Sequence, residues 1–260
     1  MRALRQVDGW PCAHAAVAVR GRVEAVHGDA GRSFNWASVT KLATAVAVLV
    51  AVEEGSVDLD EPAGPPGATV RHLLAHASGL GPDESVPLEP PGRHRIYSNA
   101  AFDVLAAHVE TRTEMPFRDY FRAVWGFELG GSAGSGVDQP LDSLLVVARE
   151  LMHPARIDPA TLREATSVQF PGLSGVLPGF GRMEPMDWGL GIELRDAKRP
   201  HWTGARNSPE TFGHFGASGT FLWVDPVAEL SLACLTDFDF GDWAIEAWPR
   251  LSDAVLEELA

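Results

Sequence analysis

The chain is poor in cysteine and has no long hydrophobic run. Its 260 residues include two cysteines, Cys12 and Cys234, which exclude a disulfide scaffold and a cysteine-based zinc cluster. The longest apolar run, residues 42–52, is about half of the roughly 20 residues that a membrane helix needs. The first residues also lack the apolar core of a signal peptide. We therefore expect a cytoplasmic protein that folds without metal, cofactor or disulfide.

Basic residues are also scarce. The chain has 21 Lys and Arg against 35 Asp and Glu, which gives a formal net charge of -14. Such a surface repels the phosphates of nucleic acids and of anionic membranes. We therefore expect neither nucleic acid nor membrane as a partner.

Lysine is the rarest of the charged residues, since the chain has only Lys41 and Lys198 beside 19 arginines. A coding bias towards arginine accounts for the ratio, and a chain under that bias keeps lysine mainly where arginine cannot replace it. Arginine stays protonated in proteins, whereas a buried lysine is able to lose its proton. Lys41 lies in an apolar stretch, residues 37–54, that reads as a buried helix. It is therefore a candidate for chemistry.

The order of predicted elements indicates an α+β fold. Strands are predicted near both ends of the chain and helices in the middle. This order favours one antiparallel sheet built from both ends of the chain, in a three-layer α/β/α sandwich with an inserted helical subdomain. We expect a single domain, 1–260, with a sheet-containing part at 1–36 and 166–260 and a helical part at 37–165. The predicted strands are residues 13–19, 22–27, 188–194, 211–215, 219–224 and 230–235, and the predicted helices are residues 37–54, 70–77, 100–110, 116–125, 140–152, 159–165 and 243–259.

Ser38 and Lys41 form an S-x-x-K motif at the start of the first helix. The spacing places the hydroxyl and the amine one turn apart on the same face, where the helix N-terminus favours a neutral amine and a nearby oxyanion. This arrangement is typical of an activated serine nucleophile. By chance the motif would occur ~0.1 times in such a composition. The alternative is that Ser38 only caps the helix and Lys41 extends to water.

Tyr97-Ser98-Asn99 is a second candidate motif, with ~0.02 occurrences expected by chance. The phenol of Tyr97 is able to carry a proton if a nearby amine lowers its pKa, and the amide of Asn99 is able to bind a substrate carbonyl. The alternative is a turn that caps the next helix, with Ser98 or Asn99 as the cap.

The motifs together resemble those of the serine β-lactamase and penicillin-binding-protein superfamily. They are most similar to its class C branch, which includes D-Ala-D-Ala carboxypeptidases and β-lactamase-like carboxylesterases. The matching segments, in the order of the family, are W-A-S-V-T-K-L, H-L-L-A-H-A-S-G-L, P-G-R-H-R-I-Y-S-N, W-G-L-G-I-E and G-H-F-G-A-S-G-T. The resemblance runs from about residue 15 to residue 237 and implies a β-lactamase/transpeptidase-like fold.

The resemblance also implies roles for individual residues. Ser38 would be the acylated nucleophile, Lys41 its proton acceptor or the group that tunes Tyr97, and Tyr97 the general base. Asn99 would contact the amide on the acyl side of the substrate. The substrate would be a small ester, lactam or peptide.

The third motif of the family, commonly Lys-Thr-Gly, corresponds here to His214-Phe215-Gly216. The oxyanion hole would be formed by the N–H groups of Ser38 and Ala217. His214 replaces a fixed cation that would hold a substrate carboxylate, and histidine is mostly neutral at pH 7. We therefore expect a carboxylesterase of small neutral esters.

Other functions stay open at this point. The alternatives within the family are a β-lactamase and a D-Ala-D-Ala carboxypeptidase, and the alternative of another class is a penicillin-binding sensor or pseudoenzyme. His72 and His76 have a spacing that is able to bind zinc on a helix. No third ligand is evident in the sequence, so we expect both histidines to be structural.

Overall fold

The computed structural model describes residues 1–21, 24–84 and 86–259. The strands are β1 (Ala15–Gly21), β2 (Ala25–Gly28), β3 (Phe34–Asn35), β4 (Asp138–Gln139), β5 (Gly175–Leu177), β6 (Gly181–Met183), β7 (Glu193–Leu194), β8 (Phe212–Gly216), β9 (Thr220–Asp225) and β10 (Leu230–Thr236). The α-helices are α1 (Thr40–Glu53), α2 (Val70–Leu74), α3 (Ala100–Thr113), α4 (Phe117–Trp125), α5 (Leu141–Met152), α6 (Pro159–Ala165) and α7 (Asp242–Leu259). Shorter 3-10 helices span Ala3–Gly9 and Ala37–Val39.

Both ends of the chain contribute to one six-stranded sheet, in the order β2-β1-β10-β9-β8-β7. Strand β1 pairs antiparallel with β10, with Val17 opposite Cys234. The pairs β1–β2, β10–β9 and β9–β8 are antiparallel as well. The predicted sheet is therefore confirmed, and its central strand β10 is buried along its whole length.

The sheet belongs to a compact unit of residues 1–39, 137–154 and 194–260. Helix α5 packs on β1, β9 and β10. The side chains of β9 reach α7, because the ring of Phe221 lies 5.1 Å from that of Trp248 and Trp223 Nε1 donates to Ser252 Oγ at 3.0 Å. Phe221 and Trp223 are two residues apart on the strand, so both point to the face that α7 covers. The packing of α5 and α7 on the sheet agrees with the predicted α/β/α arrangement.

A second compact unit holds residues 40–136 and 155–193. It contains helices α1 to α4 and α6 and the hairpin β5–β6. Helix α1 is buried on nearly every face, as its composition predicts, and Trp125 Nε1 donates to Ala43 O at 3.0 Å. No helix in the described ranges has both the length and the apolar character of a membrane span.

The bounds of the two units differ from those of the predicted parts. Residues 137–154 belong with the sheet because α5 covers one of its faces. Residues 166–193 belong with the helices, since Arg95 reaches across to the carbonyl of Met186 at 2.5 Å and Gln169 N donates to Trp188 O.

The strand predicted at residues 188–194 is shorter than expected. Only Glu193 and Leu194 are in β7, and Trp188 makes an isolated bridge. The chain turns at Gly191, whose φ of 72° suits glycine. Part of the strand predicted at 22–27 lies outside the described residues, at Arg22 and Val23; the observed strand β2 begins at Ala25.

Asp225 fastens the end of β9 to the two loops beside it. Its carboxylate is buried and accepts hydrogen bonds from Ser208 N at 2.7 Å and Thr211 Oγ1 at 2.9 Å. It also accepts from Ala228 N at 3.1 Å. Burial alone would raise the pKa of Asp225, but these hydrogen bonds outweigh it and hold that pKa below its ordinary value.

We predict that Asp225→Asn lowers the free energy of unfolding by about 2 kcal/mol at pH 7, because an amide cannot accept all of these bonds. A carboxyl with a depressed pKa stabilises the fold above its unfolded pKa of about 3.9, and this contribution is lost as the pH falls through the folded pKa. The difference between wild type and variant, measured by urea unfolding, should therefore shrink at acidic pH. The exposed Asp142 supplies the control Asp142→Asn. A difference that does not change with pH would contradict this role.

Candidate active site

Ser38 lies in a tightly held turn of the first unit. It is half-buried, in the 3-10 helix that directly precedes α1. The residue before it, Ala37, has a left-handed φ of 44°, a conformation that costs energy for residues other than glycine. Asn35 Oδ1 accepts from Ala37 N at 2.9 Å, and Trp36 N donates to Val137 O at 2.9 Å. Local hydrogen bonds therefore fix the backbone that carries the serine.

The predicted third motif lies beside this turn. His214 and Gly216 are in β8, and Ala217 is the exposed first residue of the turn that follows. A Cβ atom on Gly216 would lie 2.5 Å from Trp36 O, so only glycine allows β8 to approach the turn of Ser38. The structure thus brings these four predicted residues into one unit. It also shows that His214 Nδ1 donates to Phe215 O at 2.7 Å, since a carbonyl only accepts.

Lys41 is completely buried in the first turn of α1. Its Nζ donates to Asn99 Oδ1 at 2.6 Å and to Gly134 O at 2.9 Å. The same atom lies 4.9 Å from the centroid of the Tyr97 ring. Lys41, Tyr97 and Asn99 are therefore neighbours in the second unit.

Burial lowers the pKa of Lys41 to about 7, although the carboxylates of Asp103 and Asp83 act in the opposite direction. Removal of water disfavours the charged ammonium. Near neutral pH the amine is therefore present in both forms. A neutral amine has two N–H bonds, which Asn99 and Gly134 are placed to accept, and a lone pair that is able to take a proton. Both features suit a general base.

A short turn places Tyr97 and Asn99. Ser98 Oγ donates to Gly81 O at 2.6 Å and accepts from Ala101 N at 3.1 Å. Ser98 is thus the residue that caps α3, because the side chain of Asn99 makes no capping bond. The amide of Asn99 is instead directed to Lys41.

His76 packs against the same turn. Its Nδ1 accepts from Ser98 N at 3.1 Å, and its ring lies 4.7 Å from the ring of Tyr97. His72 Nδ1 contacts Thr69 Oγ1 at 2.9 Å. Within the described ranges there is no group of three or more His, Cys, Asp or Glu side chains that suits a metal ion. The two histidines have local structural contacts.

Two acidic residues near Lys41 were not singled out from the sequence. Asp83 Oδ1 accepts from Asn99 Nδ2 at 2.8 Å. Asp103 Oδ1 accepts from Ser132 Oγ at 2.8 Å and from Ala133 N at 3.0 Å, which holds the loop whose carbonyl faces Lys41. Asp103 is four residues after Asn99, on the same helix face, and that spacing is a usable signal. Asp83 lies in a loop, where no spacing in the sequence relates it to Lys41 or Asn99.

Comparison with known proteins identifies the family. The sequence profile described as Beta-lactamase matches residues 1–255. The crystal structure of a β-lactamase from Mycobacterium bovis is 50% identical in sequence and superposes over 99% of both chains, with a TM-score of 0.97. No curated protein sequence matches. The chain therefore belongs to the β-lactamase family, which has the fold of a serine hydrolase, and the resemblance of its motifs is confirmed.

Two more distant structures share the fold. A mutant of simvastatin synthase from Aspergillus terreus is 16% identical and covers 99% of this chain and 97% of its own, with a TM-score of 0.81. EstCE1, described as a hydrolase with promiscuous acyltransferase activity, is 17% identical over 98% of this chain and 96% of its own, with a TM-score of 0.77. At this identity the likeness shows the fold alone.

We predict that Lys41 titrates near pH 7. The chain has only two lysines, so incorporation of ¹³Cε-lysine gives two resonances, and Lys41→Arg assigns them by removing one. The resonance of Lys41 should shift with a midpoint near pH 7, because burial depresses its pKa to about 7. A midpoint near the ordinary value of about 10.4 would show that the amine stays charged at neutral pH.

Proposed function

We propose that the protein is a serine hydrolase that cleaves small neutral esters through an acyl-enzyme on Ser38. One observation carries the proposal: a completely buried lysine with a pKa of about 7 follows a serine by three residues. Membership of the β-lactamase family supports the same roles for these two residues.

The acylation step uses the lone pair of Lys41. Ser38 Oγ attacks the carbonyl carbon of the ester, and its proton passes to Lys41 Nζ or through the phenol of Tyr97. The N–H groups of Ser38 and Ala217 donate to the oxyanion of the tetrahedral intermediate. The C–O bond to the alcohol then breaks, and the same proton goes to the leaving oxygen. The products are an alcohol and an acyl-Ser38 ester.

Deacylation repeats these steps with water. The phenol of Tyr97 accepts a proton from the water that attacks the acyl carbonyl and passes its own proton to the neutral amine of Lys41. The bond to Ser38 Oγ breaks, and the serine recovers its proton. The base is regenerated, and the net reaction is hydrolysis of one ester to an acid and an alcohol.

The preference for neutral esters rests on charge. At the third motif His214 replaces the permanent cation that would pair with a substrate carboxylate. The net charge of -14 also repels anions as they approach. A neutral ester needs only the nucleophile, the base and two oxyanion donors. EstCE1, which shares the fold, is itself described as a hydrolase.

β-Lactam hydrolysis is the second candidate, because the Mycobacterium bovis structure at 50% identity is described as a β-lactamase. A D-Ala-D-Ala carboxypeptidase would need the same missing cation. A penicillin-binding sensor would be acylated but would not turn over, and a pseudoenzyme would have no need of a lysine with a depressed pKa.

We predict covalent labelling of Ser38. A fluorophosphonate should add one label to the wild type, and peptide mapping should place it on Ser38, because that hydroxyl belongs to the residue three positions before the buried Lys41. The matched control is Ser135→Ala, a serine of the loop near Gly134, which should label as the wild type does. Labelling that persists in Ser38→Ala would exclude this nucleophile.

We also predict that kcat/KM for a nitrophenyl butyrate exceeds that for a chromogenic cephalosporin by at least about tenfold, since the missing charged hydrogen-bonded pair costs about 1.5–3 kcal/mol. His214→Lys should reduce this ratio by restoring the cation. The assay is run at low and high salt. If the cephalosporin is the better substrate at both, the protein is a β-lactamase and the esterase proposal is wrong.

A further inference from the structure

The amide of Asn99 already has a partner on each side. Its oxygen accepts from Lys41 Nζ at 2.6 Å, and its nitrogen donates to Asp83 Oδ1 at 2.8 Å. The contact with Asp83 fixes the orientation of the amide, because a carboxylate only accepts and therefore faces the amide nitrogen. One of the two N–H bonds of that nitrogen is therefore held by a carboxylate.

The backbone around Asp83 is fastened to the turn that carries Asn99. Pro82 O accepts from Asn99 N at 2.6 Å and from Ala100 N at 3.3 Å, and Gly81 O accepts from Ser98 Oγ at 2.6 Å. These bonds hold the loop against the start of α3. The position of Asp83 is thus set by several contacts besides its own.

Asp83 is exposed whereas Lys41 is buried, with the half-buried Asn99 between them. Its carboxylate places a negative charge on the solvent side of the amide. Asp103 supplies the second charge that acts on Lys41, and Tyr97 supplies a neutral ring. Of these groups, Asp83 is the charged one that is hydrogen-bonded to the amide nitrogen of Asn99.

We propose that Asp83 is a specificity-determining residue, which occupies one N–H bond of the Asn99 amide and repels anionic acyl groups. The inference rests on the proposed function and deepens it. An amide or lactam substrate that uses Asn99 has only the other N–H bond of that amide, or must displace the carboxylate. An acyl group that carries its own carboxylate must in addition approach a like charge. A short neutral ester meets neither obstacle, because it neither requires that donor nor carries charge.

The test compares two nitrophenyl esters of similar length, the butyrate and the monoester of glutaric acid, which differ by one carboxylate. Asp83→Asn removes the charge and keeps an acceptor for Asn99, and Asp83→Ala removes both. Glu84→Gln is the matched control, because it removes a charge from the neighbouring exposed residue. The readout is the ratio of kcat/KM for the anionic ester to that for the neutral ester.

Asp83→Asn and Asp83→Ala should raise this ratio about 3- to 10-fold, the scale of one charge a few ångströms away at an exposed site. The gain should shrink in high salt, because mobile ions screen exposed charges. Glu84→Gln should change the ratio by less than about twofold. A purely structural role of Asp83 would lower both rates together and leave the ratio unchanged.

An unchanged ratio in Asp83→Asn, or an equal rise in Glu84→Gln, overturns the inference while the esterase proposal stands. If Ser38→Ala hydrolyses both esters as fast as the wild type, the proposed function fails instead. In that case the titration of ¹³Cε-labelled Lys41 still tests whether the carboxylate of Asp83 acts near Lys41. Loss of a nearby carboxylate should lower the midpoint in Asp83→Asn, and an unchanged midpoint contradicts the contact on which the inference rests.

Discussion

The exclusion of water from Lys41 is the constraint on which the candidate site depends. An amine that is fully buried at the start of an apolar helix loses most of the hydration of its charge, so its pKa falls to about 7. Such an amine is tolerated only where acceptors replace water. Asn99 and the carbonyl of Gly134 do so, and Asp103 holds the loop of that carbonyl. Several loops are thus organised around one nitrogen atom.

The segment of Ser38 is subject to a constraint of a different kind, which is steric. Ala37 adopts a left-handed conformation, and β8 approaches so closely that Gly216 has no room for a Cβ atom. Residues in such conformations persist where their surroundings hold them, and they are common at functional sites. The turn of Ser38 is therefore determined by close packing together with local hydrogen bonds, whereas the side chain of Lys41 is positioned by the hydrogen bonds of its amine.

The parts of the molecule that the sequence predicts are those with local signals. The apolar run of α1, the strands that pair β1 with β10, and the rare S-x-x-K and Y-x-N spacings are all visible in the chain. Its membership of the β-lactamase family agrees with them. Asp83 and Gly134 could not be found in this way. Asp83 acts on Lys41 through its charge from 42 positions away, and Gly134 is hydrogen-bonded to it from 93 positions away, so neither leaves a periodic signal in the sequence. The prediction of a continuous strand at residues 188–194 was wrong, because the chain turns at Gly191.

A second buried cation shows why the lysine was retained in a chain so rich in arginine. Arg95 is nearly as buried as Lys41, and burial lowers its pKa to about 10, so it stays charged at neutral pH. Its guanidinium donates to four backbone carbonyls, those of Ala75, Gln169, Phe170 and Met186. It thereby fastens the segment that leads to Tyr97. Arginine is therefore able to serve as a buried cation in this fold. Arginine is not able to release and recover a proton near neutral pH, whereas a buried lysine is. This difference in proton exchange explains why position 41 has lysine and not arginine.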